Sequence, residues 1–248
     1  MSALARHHDA LDRWVDAHFD DEVRYLQALV QVPTDTPPGN NAPHAERTAE
    51  LLQAFGYTAE RHPVPQDEVQ AYGLQSLTNL IVRRRFGDGG RVVALNAHGD
   101  VVPPGEGWTH DPYGGEVVDG RLYGRAAAVS KSDFATYTFA LRALDALSTS
   151  ADAPALAGAV ELHFTYDEEF GGELGPGFLL REDWGQARMH LSRALELDEE
   201  NGFYALRLAT VHLALGQRAE ARSLLQRAQT FEPTRTEAER LLAGVKDS

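Results

Sequence analysis

Apolar positions near the start of the chain recur three and four residues apart. Leu11, Trp14, Val15, Val23, Leu26 and Val30 fall on one face at that spacing, which predicts an amphipathic helix over residues 9–31, ended by Pro33. Thr34–Asn41 is a Pro/Gly loop. Asn41 is a plausible cap for a second helix from about Ala42 to Phe55, with Gly56 as its stop. Short β-rich runs follow near Leu77–Arg84 and Arg91–Ala97. Val92, Val93, Ala94 and Leu95 form an unbroken apolar run, the pattern of a strand buried on both faces. Asp119-Gly120 lies between short extended pieces in Glu116–Tyr123, a strong hairpin signal. Residues 131–147 return to helical spacing, with Phe134, Tyr137, Thr138, Leu141 and Leu144 on one side. Ser148–Ala157 is small and polar, hence a surface loop. Gly158–Thr165 alternates as a strand and runs into Asp167-Glu168-Glu169. This alternation of helices and strands predicts an α/β fold, a mixed sheet flanked by helices.

After about Trp184 the strand signals stop, and the chain becomes Ala, Leu, Arg and Glu at helical spacing. Ala187 and Ala221, Leu191 and Leu225, Ala194 and Ala228, and Leu197 and Phe231 each pair at a 34-residue offset. That is the tetratricopeptide (TPR) period. The stretch resembles one whole repeat over about Gly202–Arg235, preceded by the second helix of another and followed by a closing helix near Glu237–Val245. Small residues such as Ala205, Ala209, Ala221 and Ala228 let two helices approach closely. Gly216 permits the turn and Pro233 helps end the second helix. The expected organisation is an α/β domain over residues 1–182 and an all-α TPR-like tail over 183–248.

Composition narrows the function. The 248 residues, 43% hydrophobic and 24% charged, are those of a soluble globular protein. No apolar run approaches the roughly 20 residues of a membrane helix. The N-terminus has no continuous apolar core, so it does not read as a secretory signal, and a cytoplasmic location is expected. Cysteine is absent, which leaves His, Asp and Glu to hold any transition metal. The formal charge of −14 argues against a general nucleic-acid binder. It serves solubility, and a share of the acid is available for a cation site.

Two stretches carry candidate chemistry. In Ala94-Leu95-Asn96-Ala97-His98-Gly99-Asp100, an apolar strand ends in His-x-Asp. Residues i and i+2 of an extended chain point the same way. Asp100 is therefore placed to hold one ring nitrogen of His98 while the other binds a metal. In Phe164-Thr165-Tyr166-Asp167-Glu168-Glu169, two adjacent glutamates sit where a strand ends. Adjacent side chains diverge, so one is free to ligate a metal and the other to take a proton from water.

Between them lie Gly107-Trp108-Thr109-His110-Asp111-Pro112-Tyr113-Gly114-Gly115, then Asp119-Gly120-Arg121-Leu122-Tyr123-Gly124-Arg125, then Lys131. Taken in this order, the stretches resemble the M20 family of zinc peptidases and deacylases over roughly residues 10–181. The resemblance implies hydrolysis of amide bonds in dipeptides or N-acyl amino acids, with one or two zinc ions. It implies that His98 is a metal ligand, that Asp100 steadies it, that Glu168 is the general base and that Glu169 ligates metal. His110 and His163 match no ligand slot and read as loop and sheet residues.

The chain also departs from the family. The metal-bridging Asp of M20 proteins stands in a stretch resembling Gly-Arg-Gly-x-x-Asp-x-Lys-Gly. Here the stretch is Gly124-Arg125-Ala126-Ala127-Ala128-Val129-Ser130-Lys131-Ser132, with Val129 in the bridging slot. Two dications about 3.5 Å apart repel by roughly 5 kcal/mol even in water, so at most one zinc is expected. Asp133, inside the next helix, is the remaining candidate substitute. After Gly175-Pro176-Gly177-Phe178-Leu179-Leu180 the family's later ligands and strands give way to TPR-like helices. Of the later histidines, His212 reads as core and His190 as a helix-face residue. Catalysis is therefore expected to be impaired or absent. The alternatives are a non-catalytic binding protein, meeting a protein partner through its TPR-like helices, or a fusion of two unrelated pieces joined near residues 181–184.

Overall fold

A computed structural model describes residues 3–182 and 184–245. They fall into two compact units, residues 1–176 and 177–248. The first unit opens with α1 (Ala3–Val30), which ends ahead of Pro33 and buries Tyr25, Leu29 and Val30. α2 (Ala42–Ala54) begins one residue after Asn41. Asn41 occupies the cap position, but its side chain does not cap the helix. It is fully buried, and its amide donates to Thr36 Oγ1 at 3.3 Å instead. A proline in the first turn starts the helix, and Gly56, at φ +86°, follows its end.

β1 (Ala59–Pro63) and α3 (Gln66–Ala71) come next, then β2 (Thr78–Gly87) and β3 (Val92–His98). The hairpin β4 (Glu116–Val118) and β5 (Arg121–Tyr123) turns on Asp119 and Gly120, both at positive φ. α4 (Lys131–Ser148) and β6 (Gly158–Thr165) complete the unit's long elements.

Strands β1, β2, β6 and β3 lie side by side in that order. β3 runs parallel to β6, and the other neighbours are antiparallel, so the sheet is mixed. One face is apolar: Leu80, Leu162 and Phe164 are fully buried, and Phe134 of α4 lies 4.3 Å from Phe164, centroid to centroid. On the opposite face Arg83 bridges Glu60 and Glu161, and Glu161 pairs with His163 at 3.0 Å.

The expectation that Val92–Leu95 is buried on both faces is overturned. Val92 is 44% and Val93 51% exposed. Among the described residues β3 is hydrogen-bonded to β6 alone, so the strand is an edge. An unbroken apolar run does not distinguish an edge position from a central one.

The parallel register sets His98 opposite Thr165. Both strands end at the same level, so the residues that follow them, Gly99-Asp100 and Tyr166–Glu169, emerge next to each other. The Gly99 N–H, bonded to the Thr165 carbonyl at 2.9 Å, extends that contact past the strand ends. A side chain at Gly99 would meet the Tyr166 ring at 2.6 Å.

The second unit takes up the chain at Gly177, within α5 (Pro176–Glu182), and holds α6 (Trp184–Leu197), α7 (Gly202–Ala214), α8 (Arg218–Gln229) and α9 (Arg235–Gly244). Leu195, Ala205, Leu208, Ala209, Leu225, Ala228 and Ala238 form its core. Asn201 caps α7 by accepting from the Phe203 and Tyr204 N–H groups, and Gly216 makes the α7–α8 turn at φ +72°. His212, expected in the core, is only half-buried, and its ring bonds Gln217 Oε1 at 2.7 Å. One turn of α7 carries it towards the helix end, where Gln217 is within reach. The side chain of His190 lies outside the described residues.

Candidate metal centre

His98 ends β3 with its ring mostly buried. Its Nδ1 lies 3.1 Å from the Asp100 carbonyl and 3.4 Å from the Asp100 carboxylate. Both are acceptors, so Nδ1 is placed to donate its proton to Asp100, which is the tautomer that leaves Nε2 available to a metal. Nε2 points to the Glu168 carboxylate, 3.8 Å away. Asp100 is fully buried and accepts two further bonds, from the Glu168 N–H at 3.3 Å and the Glu169 N–H at 3.1 Å. One buried carboxylate thus ties the imidazole and the backbone of both glutamates together.

His98, Glu168 and Glu169 each offer a ligand atom, and these atoms lie within 4.8 Å of one another. The glutamates do not diverge as they would on an extended strand. They sit in a 3-10 turn, Glu168–Phe170, which turns both carboxylates towards the histidine. The set is one imidazole nitrogen with two carboxylates, open to solvent through an exposed Glu168. Imidazole nitrogen and carboxylate oxygen are both ordinary zinc donors, so two of the three groups suit zinc and the remaining carboxylate is left beside it for a water molecule. Burial alone would lower the His98 pKa. The Asp100 hydrogen bond and the Asp100 and Glu168 charges outweigh it, and the net direction is up.

Asp167, just ahead of the pair, is fully buried at φ +98°. Its Oδ2 accepts from the Leu174 N–H at 2.7 Å, and its Oδ1 makes no hydrogen bond among the described residues. Burial foremost, and then the nearby Asp100 charge, push its pKa up against the Leu174 and Gly175 N–H groups, which favour the charged form. Further back, the Tyr166 hydroxyl bonds His44 Nδ1 at 2.7 Å, and His44 is fully buried. Lys131 is also fully buried, its ammonium donating to the Val32 carbonyl at 2.8 Å. Burial brings its pKa down to about 7. Pattern reading singles out none of Asp167, His44 or Tyr166 for a role. The one available signal is that Tyr166 and Asp167 directly prolong an apolar strand.

Val129 is 66% exposed and offers no ligand atom. Asp133 accepts from Ser130 Oγ at 2.6 Å in the first turn of α4, and is outside the three-residue group. His110 stacks on Tyr123 and pairs with Glu116, and His163 pairs with Glu161. Neither joins the group among the described residues. Ala126, in a slot where the resembling stretch has Gly, is held at φ +65° and nearly buried. Ala126→Gly is expected to stabilise the chain by about 1 kcal/mol by relieving a left-handed residue that carries a Cβ. The urea midpoint checks it, and an unchanged or lower midpoint counts against it.

The profile of Peptidase family M20/M25/M40 matches residues 94–220, a span that holds every candidate ligand and runs on into α8. Succinyl-diaminopimelate desuccinylase of Rhodospirillum centenum is 35% identical over 151 residues, 60% of this chain and 36% of the relative. The same enzyme of Methylorubrum extorquens is 37% identical over 164 residues, 65% of this chain and 39% of the relative. The chain therefore spans under two-fifths of the length of these curated relatives. In fold it is similar to a Saccharomyces cerevisiae dipeptidase, Dug1p, with TM-score 0.58 and 16% identity over 71% of this chain and 38% of that one. Human carnosine dipeptidase 1 gives TM-score 0.54 and 21% identity over 72% and 38%.

Proposed function

Since the chain belongs to Peptidase family M20/M25/M40, we propose that it is a metal-dependent amide hydrolase acting on dipeptides or N-acyl amino acids, with catalysis weakened in this chain. The observation that carries the proposal is the convergence of His98, Glu168 and Glu169 within 4.8 Å. His98 Nε2 and a Glu169 carboxylate oxygen would hold one zinc ion. When bound, zinc supplies Lewis-acid polarisation and acidifies water. Asp100 fixes the His98 tautomer and ring orientation from behind. Glu168, with its carboxylate solvent-exposed beside His98, takes the proton from the attacking water and passes it to the leaving amine.

Weakening follows from Val129. With no anion in that slot, the repulsion of roughly 5 kcal/mol between two dications about 3.5 Å apart is unrelieved, which restricts the chain to one zinc. The test is zinc stoichiometry and affinity on the full chain. One ion is expected, and His98→Ala should weaken its binding by at least about tenfold, the low end of what removing even a supporting group costs. Two tightly held ions, or His98→Ala binding like the parent, would end the proposal as stated.

A second reading, a TPR-like protein-binding unit, is supported by a groove across α6, α7 and α8. The cavity is ≈ 790 Å³ and is lined by Glu196, Glu199, Glu200, Glu220, His212 and Arg227 among others. A protein partner held equally well after charge reversal at Glu196 and Glu220 would remove this reading.

A further inference from the structure

We propose that Asp167 is a positioning residue that aims Glu168 and Glu169; the inference rests on the reading of those side chains as a metal site. The starting observation is a residue held at a double disadvantage. Asp167 sits in the left-handed region at φ +98°, where a side chain is disfavoured, and it buries a carboxylate oxygen, Oδ1, that makes no hydrogen bond among the described residues. Glycine would avoid both penalties. What glycine would lose is the bond from the Leu174 N–H to Oδ2 at 2.7 Å, together with the neighbouring Gly175 N–H's attraction to the same carboxylate.

That bond closes a loop. The Asp167 carbonyl accepts from the Phe170 N–H at 3.2 Å and the Gly172 N–H at 2.8 Å. Its carboxylate takes the Leu174 N–H, so Asp167 holds the segment at three successive points. Glu168 and Glu169 are the first two residues of that segment. Their own N–H groups go to Asp100, on the far side. The glutamates are therefore pinned between two buried carboxylates, one reaching from the end of β3 and one rooted in their own loop. Glu168 is solvent-exposed, and packing does little to fix its aim. The loop's hydrogen bonds must do so.

The experiment uses the full chain with zinc, and with cobalt(II) as a coloured probe of coordination. Three variants are compared: Asp167→Gly, which suits the left-handed backbone but lacks the carboxylate; Asp167→Asn, which tolerates that backbone and keeps an oxygen for the Leu174 N–H; and Asp167→Ala, which has neither property. Asp167→Gly should bind zinc about 10–100-fold more weakly, the usual size of such a supporting effect, with altered cobalt absorption. Asp167→Asn should restore both. A role limited to backbone strain predicts the reverse, glycine equalling or exceeding the parent.

Amide exchange at Glu168 and Glu169 in the metal-free chain is the second measurement, and it should speed up in Asp167→Gly. Parent-like zinc binding in Asp167→Gly overturns the proposal, as does Asp167→Asn binding as weakly as glycine. If the parent itself binds no zinc, the metal-site reading fails. Unchanged exchange at both glutamates in Asp167→Gly then overturns the positioning role independently.

Discussion

Glu168→Ala is expected to slow zinc-dependent hydrolysis of dipeptides and N-acyl amino acids by about a hundred- to ten-thousand-fold, the span typical of losing a general base. Zinc should remain bound, since His98 and Glu169 are intact. The role falls to Glu168 in the proposed division of labour, which follows the family resemblance. Both glutamates are exposed, and the Glu168 carboxylate lies 3.8 Å from His98 Nε2, beside the nitrogen that would hold the metal. Glu168→Gln refines the test, because it keeps the shape and removes the basic oxygen. Turnover is measured on a substrate panel with the zinc content of each variant known. Equal turnover in parent and Glu168→Ala would remove Glu168 from the chemistry. A parent that holds one zinc and cleaves nothing on the panel would favour the non-catalytic reading, with the site retained as a metal binder.

Much of the architecture around this site is written in local patterns. Gly158–Thr165 alternates and folds as a strand with those same bounds, and Asp119-Gly120 makes the hairpin it signals. His98 and the Glu168-Glu169 pair are legible because each lies at the end of an apolar run, where a sheet must give way to a loop. Other features depend on neighbours that no local pattern specifies. The run Val92–Leu95 suits a central strand, yet strand order leaves it at the edge. Asn41 has the chemistry of a cap, but its amide is drawn to Thr36. β1 and α3 have five and six residues, too few for a period to stand out. Asp167 is the clearest case. In sequence it is one more acid in an acidic loop, and only the three-dimensional path of the loop buries it. The convergence of the glutamates is likewise hidden, because it depends on a 3-10 turn replacing extended chain.

The second large effect concerns stability. Between about pH 7.5 and 9.5 the folded chain should gain roughly 2–3 kcal/mol from one residue, Lys131. Its ammonium is fully buried, with the Val32 carbonyl as its bonded partner at 2.8 Å, and burial lowers its pKa to about 7 despite the charge of Asp35. An unfolded lysine titrates near about pH 10.4. Across the interval between those two values the unfolded chain holds a proton that the folded chain does not, so stability rises with pH. It is lost as the pH falls from about 10 towards 7, where burying the amine requires discharging it. The limiting slope is about 1.4 kcal/mol per pH unit for one proton.

Other groups set the limits of the window. Burial raises the pKa values of Tyr25 and Tyr166. Their unfolded counterparts therefore lose protons first, and stability falls again above about pH 10. His44 is driven down by burial and by the Lys131 charge, so it titrates below the window. Lys131→Met fills similar space without the amine and should flatten the rise. The measurement is the urea-derived unfolding free energy of parent and variant at half-unit steps across that same pH range. Parallel curves would mean that Lys131 stays charged in the fold, held by Asp35. A parent curve that climbs away from a flat variant would show that the buried amine is neutral over most of the range.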